Sequence, residues 1–184
     1  MRELVVRARE GDRDAFSQLA AQSIGRLTAI ARLILRDEYG AQDAVQETLV
    51  EAWRSLPSLR DPDRFDAWTR RLLVRACSRG RERARRVRAA EIQLTPAAEP
   101  AIPGGEARLA LRDQLDRGLA RLPQEQRAVV VLVYYLDLPL ADAAEALGIP
   151  LGTTKSRLNR ATSALRAALD ADNRDSARNQ EVLV

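Results

Sequence analysis

The segment from Leu138 to Leu169 constrains the fold most strongly, because it contains two helical patterns that meet at one glycine-marked turn. Apolar residues recur at three- and four-residue spacing in the first pattern, at Leu140, Ala143, Ala144 and Leu147. Gly148 can adopt the left-handed conformation that ends a helix, and Ile149 follows it as an apolar anchor. The buried stripe of the second pattern consists of Leu151, Leu158, Ala161, Leu165 and Leu169. This layout is typical of a helix-turn-helix.

The opposite face of the second pattern carries hydroxyl, amide and cationic side chains. They are Thr153, Ser156, Asn159, Arg160 and Ser163, with Lys155 and Arg157 on the flanks. Such side chains donate to base edges and phosphates when a helix lies in the major groove. The pattern alone leaves open a second interpretation, an amphipathic hairpin with a solvated polar face.

The composition restricts the chemistry of the chain. Of its 184 residues, 46% are hydrophobic and 4% are aromatic, which favours helices packed through Leu, Ala and Val. Histidine is absent, and Cys77 is the only cysteine. These counts exclude disulfides within the chain, the usual zinc sites and histidine-based catalysis. We expect a protein that is not an enzyme and has no metal and no cofactor.

No apolar run is long enough to span a bilayer, and the first residues, MRELVVRAREGD, are charged rather than signal-like. The sequence therefore predicts a cytoplasmic protein without membrane insertion.

A proline- and glycine-rich stretch divides the chain. Residues 95–105, TPAAEPAIPGG, hold three prolines and two glycines without periodicity, which predicts an extended connector, although a surface loop within one domain is an alternative. The predicted fold is all-α, with two small helical domains. Their bounds are 1–94 for the first domain, 95–107 for the connector, 108–170 for the second domain and 171–184 for a polar, flexible tail.

Apolar spacing predicts the helices of both domains. A long helix begins at Asp12 as its cap and ends near Asp37, and a second helix ends at Pro57. A third helix begins near Phe65, with Phe65 and Trp68 on its core stripe. In the second domain the run AVVVLVYY is interpreted as a buried helix, because no second strand-like segment exists to pair with it.

The third helix becomes strongly cationic. Between positions 70 and 88 there are nine arginines and one acidic residue, Glu82. Because like charges repel one another, this run favours a polyanion-binding surface over a helix end that is simply solvated.

Two motifs resemble one known family. The run AQDAVQETLVEAWRSL (41–56) is similar to the hallmark second-region helix of extracytoplasmic-function sigma factors, the promoter-specificity subunits of bacterial RNA polymerase. The run from position 119 to 166 resembles the fourth region of that family. The family's order of promoter-melting domain, linker and helix-turn-helix domain matches the division inferred above.

The resemblance implies protein partners. The outer face of the second-region helix would dock on the clamp helices of the largest polymerase subunit, and the flap-tip helix would pack around Val129 to Leu138. The connector would lie in the channel used by template and nascent RNA. Relatives are also restrained by anti-sigma factors, a further partner that the resemblance implies. The polymerase-binding residues would be Gln42, Asp43, Gln46, Glu47 and Arg54.

The resemblance also implies promoter contacts. The loop Pro57 to Arg64 would capture a base flipped from the minus-ten element, and the basic helix after it would hold phosphates. The minus-ten residues would be Arg60, Asp61, Arg64, Arg71, Arg75, Arg79 and Arg83. The minus-thirty-five residues would be Thr153, Thr154, Lys155, Ser156, Arg157 and Arg160.

The sequence departs from the family at the starts of the reading pair, where Pro139 and Pro150 replace the usual side-chain caps. Smaller residues, Ala44 and Ala143, also stand where the family has larger aliphatic ones.

Two other functions remain as alternatives. A dimeric helix-turn-helix repressor would need a dimer interface and a palindromic site. A nucleic-acid-processing enzyme would need clustered carboxylates, but Asp61, Asp63 and Asp66 fit loop and helix-start positions better.

Overall fold

The computed structural model describes the backbone of residues 1–88 and 106–181 and the side chains of residues 1–80 and 114–171. Within these ranges the chain is helical and contains no strand, which confirms the predicted all-α class. The helices are α1 (Arg2–Arg9), α2 (Arg13–Leu35), α3 (Glu38–Ser55), α4 (Phe65–Arg88), α5 (Glu106–Arg121), α6 (Gln124–Val130), α7 (Leu140–Leu147) and α8 (Leu151–Glu181). Packing places α1 to α4 in one compact unit and α5, α6 and α8 in another.

In the first unit α3 packs between α2 and α4, and α1 packs on α2. The predicted cap of α2 is confirmed: Asp12 accepts hydrogen bonds from the backbone N–H groups of Asp14 and Ala15, both at 3.0 Å. The bond from Ala15 and the hydrogen bond from Arg7 hold the pKa of Asp12 below its usual value. The start of α2 is therefore fixed by its own local sequence.

Helix α1 is a finding that the sequence analysis missed. Its eight residues are too few to form a stable helix alone, so packing must supply the stability. Val5 and Ala8 are buried in a cluster that also contains Leu19, Leu56 and Phe65.

The only cysteine lies on the buried face of α4. Burial raises the pKa of the Cys77 thiol to about 12, so this side chain stays protonated and packs as a small apolar group.

In the second unit α5 and α6 both pack on α8. Leu122, Val130 and Ala161 are buried together, and partly buried leucines surround them. A Cβ atom on Gly118 would lie 3.0 Å from Leu165 Cδ2, so glycine permits the close approach of α5 to α8.

A buried arginine closes the end of α5. Arg127 is only 6% exposed, and its Nη1 donates to the carbonyl oxygens of Leu119 at 3.1 Å and Leu122 at 3.3 Å. The last carbonyls of a helix have no partner within the helix, and a cation at this end also opposes the negative pole of the helix dipole.

Arg127→Met is expected to destabilise the chain by about 2 kcal/mol, because the stem is retained while buried carbonyls lose a charged donor. Chemical denaturation followed by circular dichroism measures the effect. The matched control is Arg166→Met, the same substitution at an exposed position on α8. Equal denaturation midpoints for the two variants would contradict the structural role of Arg127.

The valine run is helical, as predicted. Helix α6 continues into a π-helical turn, Val131–Tyr135, in which the N–H of Leu136 donates to the carbonyl of Val131 at 3.0 Å. Residues 129–132 are buried, and Val130 belongs to the cluster with Leu122 and Ala161. Asp137 then adopts a positive φ of 51°, which ends the turn.

The helix-turn-helix has the predicted bounds at its centre. Helix α7 ends before Gly148, whose φ is 65°, and α8 begins directly after Pro150. Pro139 stands directly before α7, as Pro150 does before α8. The carbonyl of Pro139 accepts a hydrogen bond from the N–H of Ala143, and the carbonyl of Pro150 accepts one from the N–H of Thr154.

Two boundaries differ from the predictions. Helix α8 continues to Glu181 through most of the segment expected to be a flexible tail, because neither glycine nor proline occurs after Gly152 within it. Residues 182–184 lie outside the described residues. Most of the predicted connector, 95–107, is outside them as well, and its last two residues, Glu106 and Ala107, form the start of α5.

No helix within the described ranges is long and apolar enough to cross a membrane. No cluster of three or more His, Cys, Asp or Glu side chains in those ranges could hold a metal ion.

Candidate protein and nucleic-acid interfaces

The outer face of α3 presents acidic and amide groups. Its inward face is formed by Ala41, Ala44, Val45, Thr48 and Ala52, which are all buried. Because a helix repeats every 3.6 residues, the intervening positions face solvent. The five residues predicted to bind polymerase are all exposed: Gln42, Asp43, Gln46, Glu47 and Arg54.

These five side chains differ in their local partners. Gln42 donates to Glu38 Oε1 at 3.0 Å, and Glu38 is also paired with Arg32. The hydrogen bond from Arg32 and then that from Gln42 lower the pKa of Glu38. Asp43 is exposed and makes no ion pair within the described residues, so its carboxylate is available to a partner.

Arg79 of α4 bridges two carboxylates of α3. Its Nε lies 2.9 Å from Glu47 Oε1, and its Nη2 lies 2.8 Å from Glu51 Oε2. Desolvation disfavours the charged guanidinium, but the hydrogen bonds to Glu51 and Glu47 outweigh it and raise the pKa of Arg79. A residue predicted to hold DNA is therefore tied to a residue predicted to bind polymerase, and Glu51 is a contact that the sequence analysis missed.

The other arginines of α4 differ in exposure. Arg75 is exposed and has no ion pair within the described residues, whereas Arg71 is half-buried. Arg70 is half-buried as well, and its Nε is buried without a hydrogen-bond partner. The side chain of Arg83 lies outside the described residues, although the backbone of α4 is helical to Arg88.

The loop between α3 and α4 alternates buried and exposed residues. It contains two short 3-10 turns, Leu56–Ser58 and Pro62–Arg64. Leu56, Leu59, Pro62 and Phe65 are buried, which fixes the loop at four points. The exposed charged side chains between these anchors are Arg60, Asp61, Asp63 and Arg64.

Asp61 organises the second turn of this loop. Its carboxylate accepts a hydrogen bond from the backbone N–H of Asp63 at 3.0 Å and lies 3.6 Å from Arg64 Nε. Asp61 thus caps the start of the second 3-10 turn, as expected from its place in the loop. A metal site would instead require several carboxylates that converge on one point.

The first turns of α8 carry the residues predicted to form the reading face. Lys155, Ser156 and Arg160 are exposed, while Thr153 and Arg157 are half-buried. The prediction that Thr154 contacts DNA is wrong. Thr154 is fully buried, and its hydroxyl donates to the carbonyl of Pro150 at 3.2 Å. A side chain in this environment cannot reach a base edge, so Thr154 belongs to the core side of the helix.

The apolar surface expected between Val129 and Leu138 is smaller than predicted. Its first four residues are buried, so only the later part is accessible. Tyr134 and Tyr135 are 65% and 57% exposed and dominate this part.

Family models match both units. Residues 19–87 match the family model described as Sigma-70 region 2, and residues 112–165 match that of Sigma-70, region 4. The chain is 36% identical over 169 residues to the ECF RNA polymerase sigma factor SigM of Mycobacterium tuberculosis, covering 91% of this chain and 83% of that protein. It is 34% identical over 183 residues to the RNA polymerase sigma factor CnrH of Cupriavidus metallidurans, covering 93% of this chain and 95% of that protein.

The chain belongs to the extracytoplasmic-function sigma factors. The sigma factor also resembles solved structures of the family. CnrH in complex with the cytosolic domain of CnrY superposes with a TM-score of 0.61 at 31% identity, covering 93% of this chain and 97% of that chain. RpoE in complex with the anti-sigma factor NepR from Bartonella quintana gives a TM-score of 0.66 at 29% identity, covering 85% of this chain and 98% of that chain.

The family assignment determines the broad function. The sigma factor is a transcription initiation factor that directs RNA polymerase to promoters. The alternative of a stand-alone helix-turn-helix regulator is not favoured, because the chain contains a region 2 as well as a region 4.

Proposed function

We propose that this sigma factor divides its work among three exposed surfaces, one for polymerase and two for promoter DNA. The observation that carries the proposal is the separation of charge on the first unit. The exposed face of α3 is acidic and amide-bearing, whereas the following loop and α4 present arginines. Opposite charges recruit different partners, a basic protein surface for α3 and phosphates for α4.

The polymerase-binding surface consists of Gln42, Asp43, Gln46, Glu47 and Arg54. Its partner is the clamp helices of the largest polymerase subunit. The exposed tyrosines Tyr134 and Tyr135, with the half-buried apolar residues beside them, receive the flap-tip helix. Tyrosine suits such an interface because its ring supplies apolar area while its hydroxyl remains hydrated.

The minus-ten surface consists of the loop 57–64 and the arginines of α4. Arg60, Asp61 and Arg64 stand exposed between buried anchors, a pre-formed arrangement for holding one unstacked base. Arg75 supplies a phosphate contact, and Arg71 and Arg83 extend the cationic track along the helix. Arg79 can join this track only by leaving Glu47 and Glu51, so we rank its contribution below that of Arg75.

The minus-thirty-five surface is the start of α8. Lys155, Ser156 and Arg160 provide the exposed donors, and Thr153 and Arg157 support them from half-buried positions. An arginine fork matches the two acceptors of guanine in the major groove.

These surfaces correspond to a proposed division into region 2 over 1–94, a connector in the polymerase channel and region 4 from 108 onward. The sigma factor acts without catalysis of its own, in the cytoplasm, where polymerase and promoters are found. An anti-sigma factor is proposed as a regulator, because similar structures contain CnrY or NepR bound to their sigma factors.

Transcription in vitro tests the proposal as a whole. Core polymerase with the purified sigma factor is incubated with fragmented genomic DNA, and the transcript starts are sequenced. We expect a small set of starts that share two upstream sequence elements. Starts distributed as with core polymerase alone would refute the proposal.

Arg75→Ala is expected to make the salt dependence of holoenzyme binding to an opened promoter shallower, by roughly 0.7–0.9 in the slope of log K against log salt concentration. Each neutralised phosphate releases condensed counterions, and the variant removes one such contact. Binding is measured by fluorescence anisotropy over a salt series. Arg13→Ala, an exposed arginine on α2, is the matched control, and equal slopes for both variants would remove Arg75 from the DNA surface.

A further inference from the structure

Helix α1 lies outside the segment that matches the region 2 family model, which begins at residue 19. It nevertheless packs on both 3-10 turns of the loop between α3 and α4. Val5 and Ala8 are buried in one cluster with Leu56, Leu59 and Phe65. Three of the loop's anchors therefore share their core with α1.

An ion pair joins the same two elements at the surface. Arg2, in the first turn of α1, donates from Nη1 to the Oδ2 atom of Asp63 in the second 3-10 turn. Both side chains are more than half exposed, at 63% and 62%, so the pair contributes little to global stability. Its effect is local, because it fixes where the Asp63 side chain lies.

Asp63 connects this ion pair to the exposed loop residues. Its backbone N–H donates to Asp61 Oδ1 at 3.0 Å, and Asp61 lies beside Arg64. A continuous chain of contacts thus runs from Arg2 through Asp63 and Asp61 to Arg64. Asp63 itself is not among the proposed base or phosphate contacts.

We infer that α1 is a positioning element for the minus-ten loop, with Arg2 as the residue that holds Asp63 and, through it, Asp61 and Arg64 in their base-capturing arrangement. The inference rests on the function proposed for the loop. Ordering the loop before DNA arrives removes the entropic cost of ordering it on binding. The buried contacts of Val5 and Ala8 place the helix, and the Arg2–Asp63 pair sets the register of the turn.

The test uses charge reversal and its reciprocal restoration. Arg2→Glu places two like charges together, Asp63→Arg does the same with cations, and the double variant restores an opposite-charge pair. Each variant is assembled into holoenzyme. The probe is a forked promoter fragment from the transcription-start experiment, with an abasic site introduced at each single-stranded minus-ten position in turn. The readout is the ratio of the Kd for the abasic probe to the Kd for the intact probe.

For the wild-type holoenzyme we expect one position with a large ratio, the base captured by the loop. Each single variant is expected to reduce that ratio by roughly fivefold, and the double variant is expected to recover most of it. Affinity for core polymerase is expected to be unchanged, because α3 is untouched. Arg13→Glu, an equal charge change at an exposed position on α2, serves as the control that should preserve the ratio.

The possible failures are distinguishable. If no position shows base dependence in the wild type, the function proposed for the loop fails. If the wild type discriminates and both single variants retain its ratio, the positioning role of α1 is overturned while the loop keeps its function. Loss in the single variants without recovery in the double variant likewise overturns the role of the Arg2–Asp63 pair.

A second variant examines the buried part of the contact. Val5→Ala removes apolar contact with the loop anchors without changing charge, and we expect the same loss of base discrimination at temperatures where circular dichroism shows an intact helical fold. A fully retained ratio in this folded variant would contradict the inference.

Discussion

Asp43→Lys is expected to weaken binding of the sigma factor to core RNA polymerase by about tenfold or more. Asp43 is exposed on the acidic face of α3 and makes no ion pair within the described residues. Reversal therefore removes one attraction to a basic clamp surface and adds a repulsion, without breaking an internal contact. Biolayer interferometry at two salt concentrations measures the change, which should shrink as salt increases.

Two comparisons make this experiment decisive. Glu10→Lys is an equal charge change at an exposed position outside α3 and is expected to leave polymerase affinity unchanged. Glu47→Lys should weaken affinity as Asp43→Lys does, but it also breaks the contact with Arg79, so its unfolding midpoint is expected to fall slightly. If Asp43→Lys unfolded the protein or bound polymerase as well as wild type, the orientation assigned to α3 would be wrong.

Arg160→Ala is expected to cost about 1–3 kcal/mol of binding at promoters whose upstream element contains the base that Arg160 contacts. Arg160 is exposed on the reading face of α8, and truncation removes a donor fork that few other side chains reproduce. Holoenzyme binding is measured on duplexes in which each upstream base pair is replaced in turn. Specificity should relax at one position and persist at the others.

Thr154→Val provides the matched control on the same helix. The threonine is fully buried and its hydroxyl donates to the carbonyl of Pro150, so an isosteric valine is expected to preserve promoter discrimination. If Arg160→Ala lowered affinity equally for every duplex, its contact would be with phosphate rather than with a base. If Thr154→Val relaxed specificity, the placement of the reading face would be wrong.

The long helices of this protein were predictable because their signals are local. Asp12 caps α2, Pro150 precedes α8 and Gly148 ends α7, and each of these features depends on a few adjacent residues. The same periodicity placed the exposed residues of α3 correctly. On α8 it was wrong for Leu151, the first residue of the helix, which was expected in the buried stripe and is 42% exposed. Thr154, placed on the reading face by the family resemblance, stands four residues before Leu158 and seven before Ala161, so the helical repeat turns it to the core side.

The missed features have a common cause. Helix α1 has only eight residues, and the part of α8 after Leu169 contains no large apolar residue, so neither segment carries a strong periodic signal of its own. The pairing of Arg79 with Glu47 and Glu51 joins positions separated by 32 and 28 residues. A spacing of four residues between the two glutamates indicates a shared helix face, but not which cation meets them.

The sequence by itself therefore determined the helical class, the helix-turn-helix, the charge of each surface and the absence of histidine chemistry, because these properties depend on composition and short-range spacing. Only the tertiary structure decided which charges neutralise one another and which loop rests on α1. Such contacts form between residues distant in the chain, and their partners are selected when the buried clusters bring the helices together.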